Sequence, residues 1–174
     1  RLISCWTGIV RDLIKERIEE VRREWSVIKD NIFVYDSVDV SMDDLNNYCE
    51  ENEVDIIIID QLDKINIRGN YNAQHEKLKE IYKQARELAK RNNVLVIGIS
   101  QAGAEAHNQQ RIDFNWLDNS KTGKAGEADL IIGIGKPRDS DKDYDRWLYL
   151  SKNKLTGEHI DIECSLNHTL SRYE

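Results

Sequence analysis

Three observations predict an α/β fold with a mostly parallel central sheet, flanking helices and an antiparallel extension near the C-terminal end. Strand and helix patterns alternate from Ile32 to Ile99, an order that implies right-handed crossovers and parallel neighbouring strands. Two of the strands, Val54-Asp55-Ile56-Ile57-Ile58-Ile59 and Val94-Leu95-Val96-Ile97-Gly98-Ile99, are continuous apolar runs of the kind covered on both faces. Short strand patterns then crowd the chain from Leu130 onward, too closely spaced for helical crossovers.

The elements follow in order. Val10, Leu13, Ile14, Ile18, Val21, Trp25 and Ile28 recur at intervals of three and four, which predicts one amphipathic helix from Ile9 to Ile28. Ile32-Phe33-Val34-Tyr35 reads as a strand. Ser41 before Met42-Asp43-Asp44 reads as a helix N-cap with acids in the first turn, continuing through Leu45 and Tyr48. Leu78, Ile81, Tyr82, Ala85, Leu88 and Ala89 predict a second amphipathic helix, closed by Arg91-Asn92-Asn93. From Gln101 to Gly126 periodicity is lost, and so long an irregular stretch marks a functional loop or a lid. Strands resume at Leu130–Ile134, Trp147–Ser151, Ile160–Cys164 and Thr169–Tyr173, with Leu155-Thr156-Gly157-Glu158 as a turn.

Composition narrows the class. The chain has 174 residues, 40% hydrophobic and 33% charged, with one Pro and nine Gly. That length supports a core without disulfides and excludes disordered or collagen-like chains. No apolar run approaches the roughly 20 residues that cross a bilayer. Cys5, Cys49 and Cys164 are far apart and lack zinc spacing, which suggests reduced thiols and a cytoplasmic setting. A net charge of −7 argues against indiscriminate polyanion binding, while leaving room for a narrow nucleic-acid site. The chain opens on Arg1-Leu2-Ile3-Ser4, without a leader pattern, and reads as the continuation of something longer.

In open parallel sheets, ligands sit beyond the carboxyl ends of the strands. Asp60 and Gln101 end the two apolar runs. A carboxylate at the mouth of a strand suits magnesium held against a phosphate, and equally suits anchoring of a loop. Gln101 could hydrogen-bond a phosphate or an attacking water, or satisfy loop backbone. Lys152 and Lys154 point to one face of a strand, as a paired cation site or as edge protection.

Taken together, Val54 to Asp60, Leu88-Ala89-Lys90-Arg91-Asn92-Asn93, Val94 to Gln101, Glu127-Ala128-Asp129-Leu130-Ile131-Ile132, Lys152-Asn153-Lys154-Leu155-Thr156-Gly157 and Ser171-Arg172-Tyr173 resemble, in register, the hexameric replicative helicases of the DnaB type. The phage primase-helicases are especially similar. The resemblance covers nearly the whole chain and implies a RecA-like P-loop NTPase core. It implies an ATP-dependent motor, with ATP and Mg2+ as ligands, that translocates on single-stranded DNA in a homo-hexameric ring, with an attached or partner primase. Asp60 becomes the Walker B carboxylate that organises magnesium, and Gln101 the sensor of the γ-phosphate. The loop from Ala102 to Gly126 becomes the channel loop, with Arg111, Lys121 and Lys124 as its DNA-contacting cations. Lys152 and Lys154 match a pair supplied in trans to the nucleotide of the next subunit. Lys154 stands where the family has Arg, and lysine lacks the bidentate fork.

Some parts of the pattern are missing. No G-x-x-x-x-G-K-[ST] loop occurs: Gly123-Lys124 is followed by Ala125, and Asp118 stands at the first glycine position. The family's catalytic glutamate is absent, no Arg precedes Ser120, and Gln61 replaces an aromatic residue after Asp60. The chain is therefore expected to be a motor domain without its Walker A segment, inactive by itself. The rival readings are a RecA or RadA-like recombinase core, and a non-catalytic oligomerisation or regulatory domain.

Overall fold

The computed structural model describes residues 1–117, 121–136 and 143–174, apart from the side chains of residues 121 and 122. Helix α1 (Leu2–Thr7) ends at Gly8, whose left-handed φ of 68° closes it. Helix α2 spans Ile18–Ser26. The single helix expected from Ile9 to Ile28 is thus broken. Val10 is extended and Arg11–Leu13 forms a 3₁₀ turn, so α1 folds back on α2. Ile9 and Val21 are buried there, and Trp6 Nε1 donates to the Glu24 carbonyl at 3.1 Å.

Residues 32–35 form no strand, and among the described residues β1 (Ile56–Ile59) pairs only with β2 (Leu95–Gly98). The expected strand is instead an exposed run, with Phe33 at 73% exposure. Helix α3 (Met42–Glu51) begins at the expected cap: the Ser41 hydroxyl accepts from Asp44 N–H, and the Asp44 carboxylate accepts from Ser41 N–H. Hydrogen bonds from Ser41, side chain first, hold the Asp44 carboxyl below its ordinary range. Helix α4 (Gln74–Asn92) is stopped by Asn93 in the left-handed region.

β1 and β2 are parallel, with Ile56 opposite Leu95 and Ile59 opposite Gly98. Their inner side chains pack on α3 and α4, in a core that includes Met42, Ile59, Leu62, Leu78, Ile81, Ala85 and Leu88. The outer face is bare: Ile58 is 65% exposed and Ile97 42%. Burial on both faces was expected, and among the described residues only one face is covered.

The mostly parallel sheet is likewise smaller than expected. Among the described residues only β1 and β2 are parallel; β3 (Leu130–Gly135), β4 (Asp145–Asn153), β5 (Asp161–Asn167) and β6 (Arg172–Tyr173) form an antiparallel meander. The antiparallel C-terminal extension from Leu130 onward is as expected, with β3 paired to β4 from Leu130 opposite Asn153 to Gly135 opposite Trp147.

The described parts of segment 102–126 are tied to the rest of the fold. Gly103 N–H donates to Trp116 O at 2.6 Å, and Phe114 N–H donates to the Ser151 hydroxyl at 2.6 Å. Residues 109–112 cross β3 at Gly133 and Gly135, where a Cβ would strike the carbonyl oxygens of Ile112 and Gln110. The end of the segment is helix α5 (Lys121–Glu127). Asp118 and Ser120 lie outside the described residues.

Candidate functional site

The carboxyl ends of β1 and β2 meet in a cleft of about 220 Å³, lined by Asp60, Gln61, Asp63, Lys64, Ile99, Ser100 and Gln101. Parallel pairing explains the meeting. Ile99 N–H donates to Ile59 O at 2.9 Å, so both chains leave the sheet side by side. Gln61 then turns sharply, with φ 56° and ψ 53°, and the Leu62 N–H returns to Ile99 O at 3.1 Å. A non-glycine residue in this region carries a conformational cost. The turn leaves Asp60 and Gln101 both exposed at the mouth.

Asp63, which no sequence motif singles out, lies deeper. Its Oδ1 accepts from Tyr82 Oη at 2.8 Å, and its Oδ2 accepts from Ser100 Oγ at 2.9 Å and Lys124 Nζ at 2.6 Å. Lys124 also donates to Ser100 Oγ at 3.1 Å and lies 5.7 Å from the centre of the Tyr82 ring. Burial pushes the Tyr82 hydroxyl well above its ordinary range, so it remains a donor. The spacing of Asp63 three residues after Asp60 was the available signal.

This arrangement corrects the expectation for Lys124. The residue is 1% exposed and its ammonium is committed to Asp63, so it is not presented to a DNA backbone here. Arg111 is more open, with its side chain 64% exposed, but Asp161 holds its guanidinium through two bonds at 2.9 and 2.5 Å. The guanidinium carbon also lies 5.8 Å from the centre of the Tyr149 ring. Lys121 begins α5, and its side chain lies outside the described residues.

Lys152 lies in β4 and Lys154 in the turn that follows it, and both reach the C-terminal end of α5. Lys152 Nζ donates to Ala125 O, while Lys154 Nζ donates to Gly126 O at 3.1 Å and to Asp129 Oδ1 at 3.2 Å. Arg86 joins them from α4, donating to Glu127 O at 2.6 Å and lying 3.3 Å from Asp129. Three cations thus surround carbonyls that carry the negative end of a helix dipole. Burial first, and then the charge of Lys154, push the Lys152 ammonium below its ordinary range. Burial acts to raise Asp129, but its bond to Lys154 and the charges of Arg86 and Lys154 hold it below the usual carboxylate range.

At a strand-end cleft an amide can donate to a phosphate oxygen, a carboxylate can meet phosphate only through a bound cation, and a cation pair can answer phosphate charge directly. Among the described residues, no group of three or more His, Cys, Asp or Glu could hold a metal by itself, so an ion at Asp60 would depend on the nucleotide's own oxygens. No described helix is long and apolar enough to cross a membrane.

Comparisons with known proteins bear on the fold and the family. The chain's fold is similar to a solved ATPase domain, with a TM-score of 0.85 at 16% identity, covering 99% of this chain and 67% of that one. It is similar in the same way to a DnaB-like replicative helicase described with its interactions with primase, at TM-score 0.85 and 16% identity, covering 99% of this chain and 46% of that one. The chain therefore spans about two thirds of the first and under half of the second. No curated protein matches it. A model of the DnaB-like helicase C terminal domain matches residues 6–173, and the chain belongs to that family.

Proposed function

We propose that this chain is the Walker B-onward share of an ATP-dependent replicative helicase motor, acting in a homo-hexameric ring on single-stranded DNA in the cytoplasm. The observation that carries this reading is the convergence of Asp60 and Gln101 in one strand-end cleft, with Lys152 and Lys154 grouped apart from it. Such a division suits a nucleotide bound by one subunit and met by cations of the next. Asp60 is the carboxylate free to organise magnesium through water, since Asp63 is committed to Lys124. When bound, the ion would supply positive charge to the phosphate oxygens. Gln101 would orient the attacking water or sense the terminal phosphate.

The bare apolar face of β1 and β2 suits a covering segment that carries the phosphate-binding loop, and the 174-residue chain alone is expected to hydrolyse no ATP. DNA contact falls to segment 102–126, where Lys121 and Arg111 supply charge and backbone amides add grip. A primase is the proposed partner, following the interaction described for the similar helicase.

Trans catalysis gives the test. In the full-length protein, Asp60→Ala and Lys152→Ala should each abolish DNA-stimulated ATP hydrolysis, and mixing the two should restore a substantial part of it. Restored interfaces would combine an intact Asp60 cleft with an intact Lys152 neighbour. Mixed rings no more active than the separate variants would overturn the in-trans assignment; the absence of any ATPase in the unmodified protein would overturn the motor reading.

A further inference from the structure

Helix α5 touches both halves of the proposed machinery through four consecutive residues. Lys124 reaches Asp63 Oδ2 at 2.6 Å and Ser100 Oγ at 3.1 Å. Asp63 lies on the turn that follows Asp60, and Ser100 directly precedes Gln101. On its other side, α5 offers the carbonyls of Ala125, Gly126 and Glu127 to Lys152, Lys154 and Arg86.

A seven-residue helix containing Gly123 and Gly126 has little stability of its own. Its position is therefore set by tertiary ties, and among the described side chains of α5 Lys124 ties it to the cleft. The tie is directional. An ammonium with no exposed surface, gripped by a carboxylate that also accepts from Tyr82 and Ser100, admits little sliding.

We infer that Lys124 is a positioning residue that fastens α5 to the Asp60–Gln101 cleft, and thereby sets where the Lys152 and Lys154 pair stands for the neighbouring subunit. This rests on the in-trans reading above. Lys124 touches neither nucleotide nor DNA in this role. Its loss should be felt at the neighbour's site rather than at its own subunit's cleft.

The experiment uses rings of the full-length protein. Lys124→Met should lower the kcat of DNA-stimulated ATP hydrolysis at least about tenfold with KM for ATP little changed, as when an interaction made only in the transition state is removed. Lys124→Arg, which keeps the cation, should retain most of kcat. Mixing Lys124→Met with Asp60→Ala should restore activity, because mixed interfaces pair an intact cleft with correctly held lysines. A merely structural defect would not be complemented in this way. If Lys124→Met does not assemble, Lys124→Gln replaces it, with the same pattern expected. If Lys152→Ala complements Asp60→Ala but the Lys124 variants do not, or if Lys124→Met keeps full kcat, this inference is overturned alone. If Lys152→Ala fails to complement Asp60→Ala, the in-trans reading falls and this inference with it.

Discussion

A lysine without exposed surface must have its charge answered inside the protein, and the answer for Lys124 is nearly complete. Its ammonium has a carboxylate, a hydroxyl and an aromatic ring around it, while Asp63 accepts from three donors. Removing one partner of a fully buried pair costs about 3–5 kcal/mol, and Asp63, whose side chain keeps 25% exposure and the Tyr82 and Ser100 donors, places the loss of Lys124 at the lower end. Lys124→Met should therefore reduce unfolding free energy in urea by about 3 kcal/mol, against less than about 0.5 kcal/mol for an exposed control such as Lys77→Met. A decrease below about 1 kcal/mol would mean that the pair does not hold α5. The sequence pointed to Asp60 and Gln101 because each ends an apolar run. It could not point to Asp63 with Lys124, since a pair 61 residues apart leaves no local periodicity.

Elements were legible where a local rule governs them. Ser41 and Asp44 form the cap their spacing predicts, and Asn93 ends α4 after the basic turn that announced its close. The expected helix from Ile9 to Ile28 shortened to Ile18–Ser26, with Val10 extended and Arg11–Leu13 a 3₁₀ turn, because intervals of three and four report which residues share a face and say nothing of a chain that turns midway. Segment 102–126 looked mobile because its restraints are long-range: Gly133 and Gly135 admit its backbone, and the Ser151 hydroxyl accepts from its Phe114 amide. Gly133→Ala should push residues 109–112 off β3 at a cost of about 1–3 kcal/mol, with faster amide exchange at Phe114. Unchanged exchange there would show that the close approach is not needed. The end of α5 carries a pH dependence as well. Asp129 is depressed in the folded state, so its contribution is present above the unfolded carboxylate pKa of about 3.9 and lost as pH falls through the lower folded value. Asp129→Asn should lower the thermal midpoint at pH 7 and converge with the unmodified chain toward acid pH, below that unfolded value. Parallel pH profiles would exclude that linkage.

At the scale of the whole molecule, the two sheets divide what the sequence joined. Continuous apolar runs correctly indicated a parallel pair, yet among the described residues α3 and α4 cover only one of its faces. The other face presents Ile56 beside Leu95 and Ile58 beside Ile97. Contiguous apolar surface of this kind is uncommon on soluble monomers and marks a contact surface. A net charge of −7 opposes association by repulsion. That repulsion acts over a Debye length of about 8 Å at physiological salt and cannot mask an apolar face at contact. The isolated 174-residue chain should accordingly bind an apolar dye and self-associate at micromolar concentration in sedimentation. Ile58→Thr combined with Ile97→Thr keeps β-branched residues in both strands while replacing a methyl-rich surface with hydroxyls. That variant should bind less dye and sediment closer to a monomer, with its helical content unchanged. A strictly monomeric, dye-free parent chain would show that these side chains are satisfied by water as they stand, and would remove the physical reason for a segment that covers them.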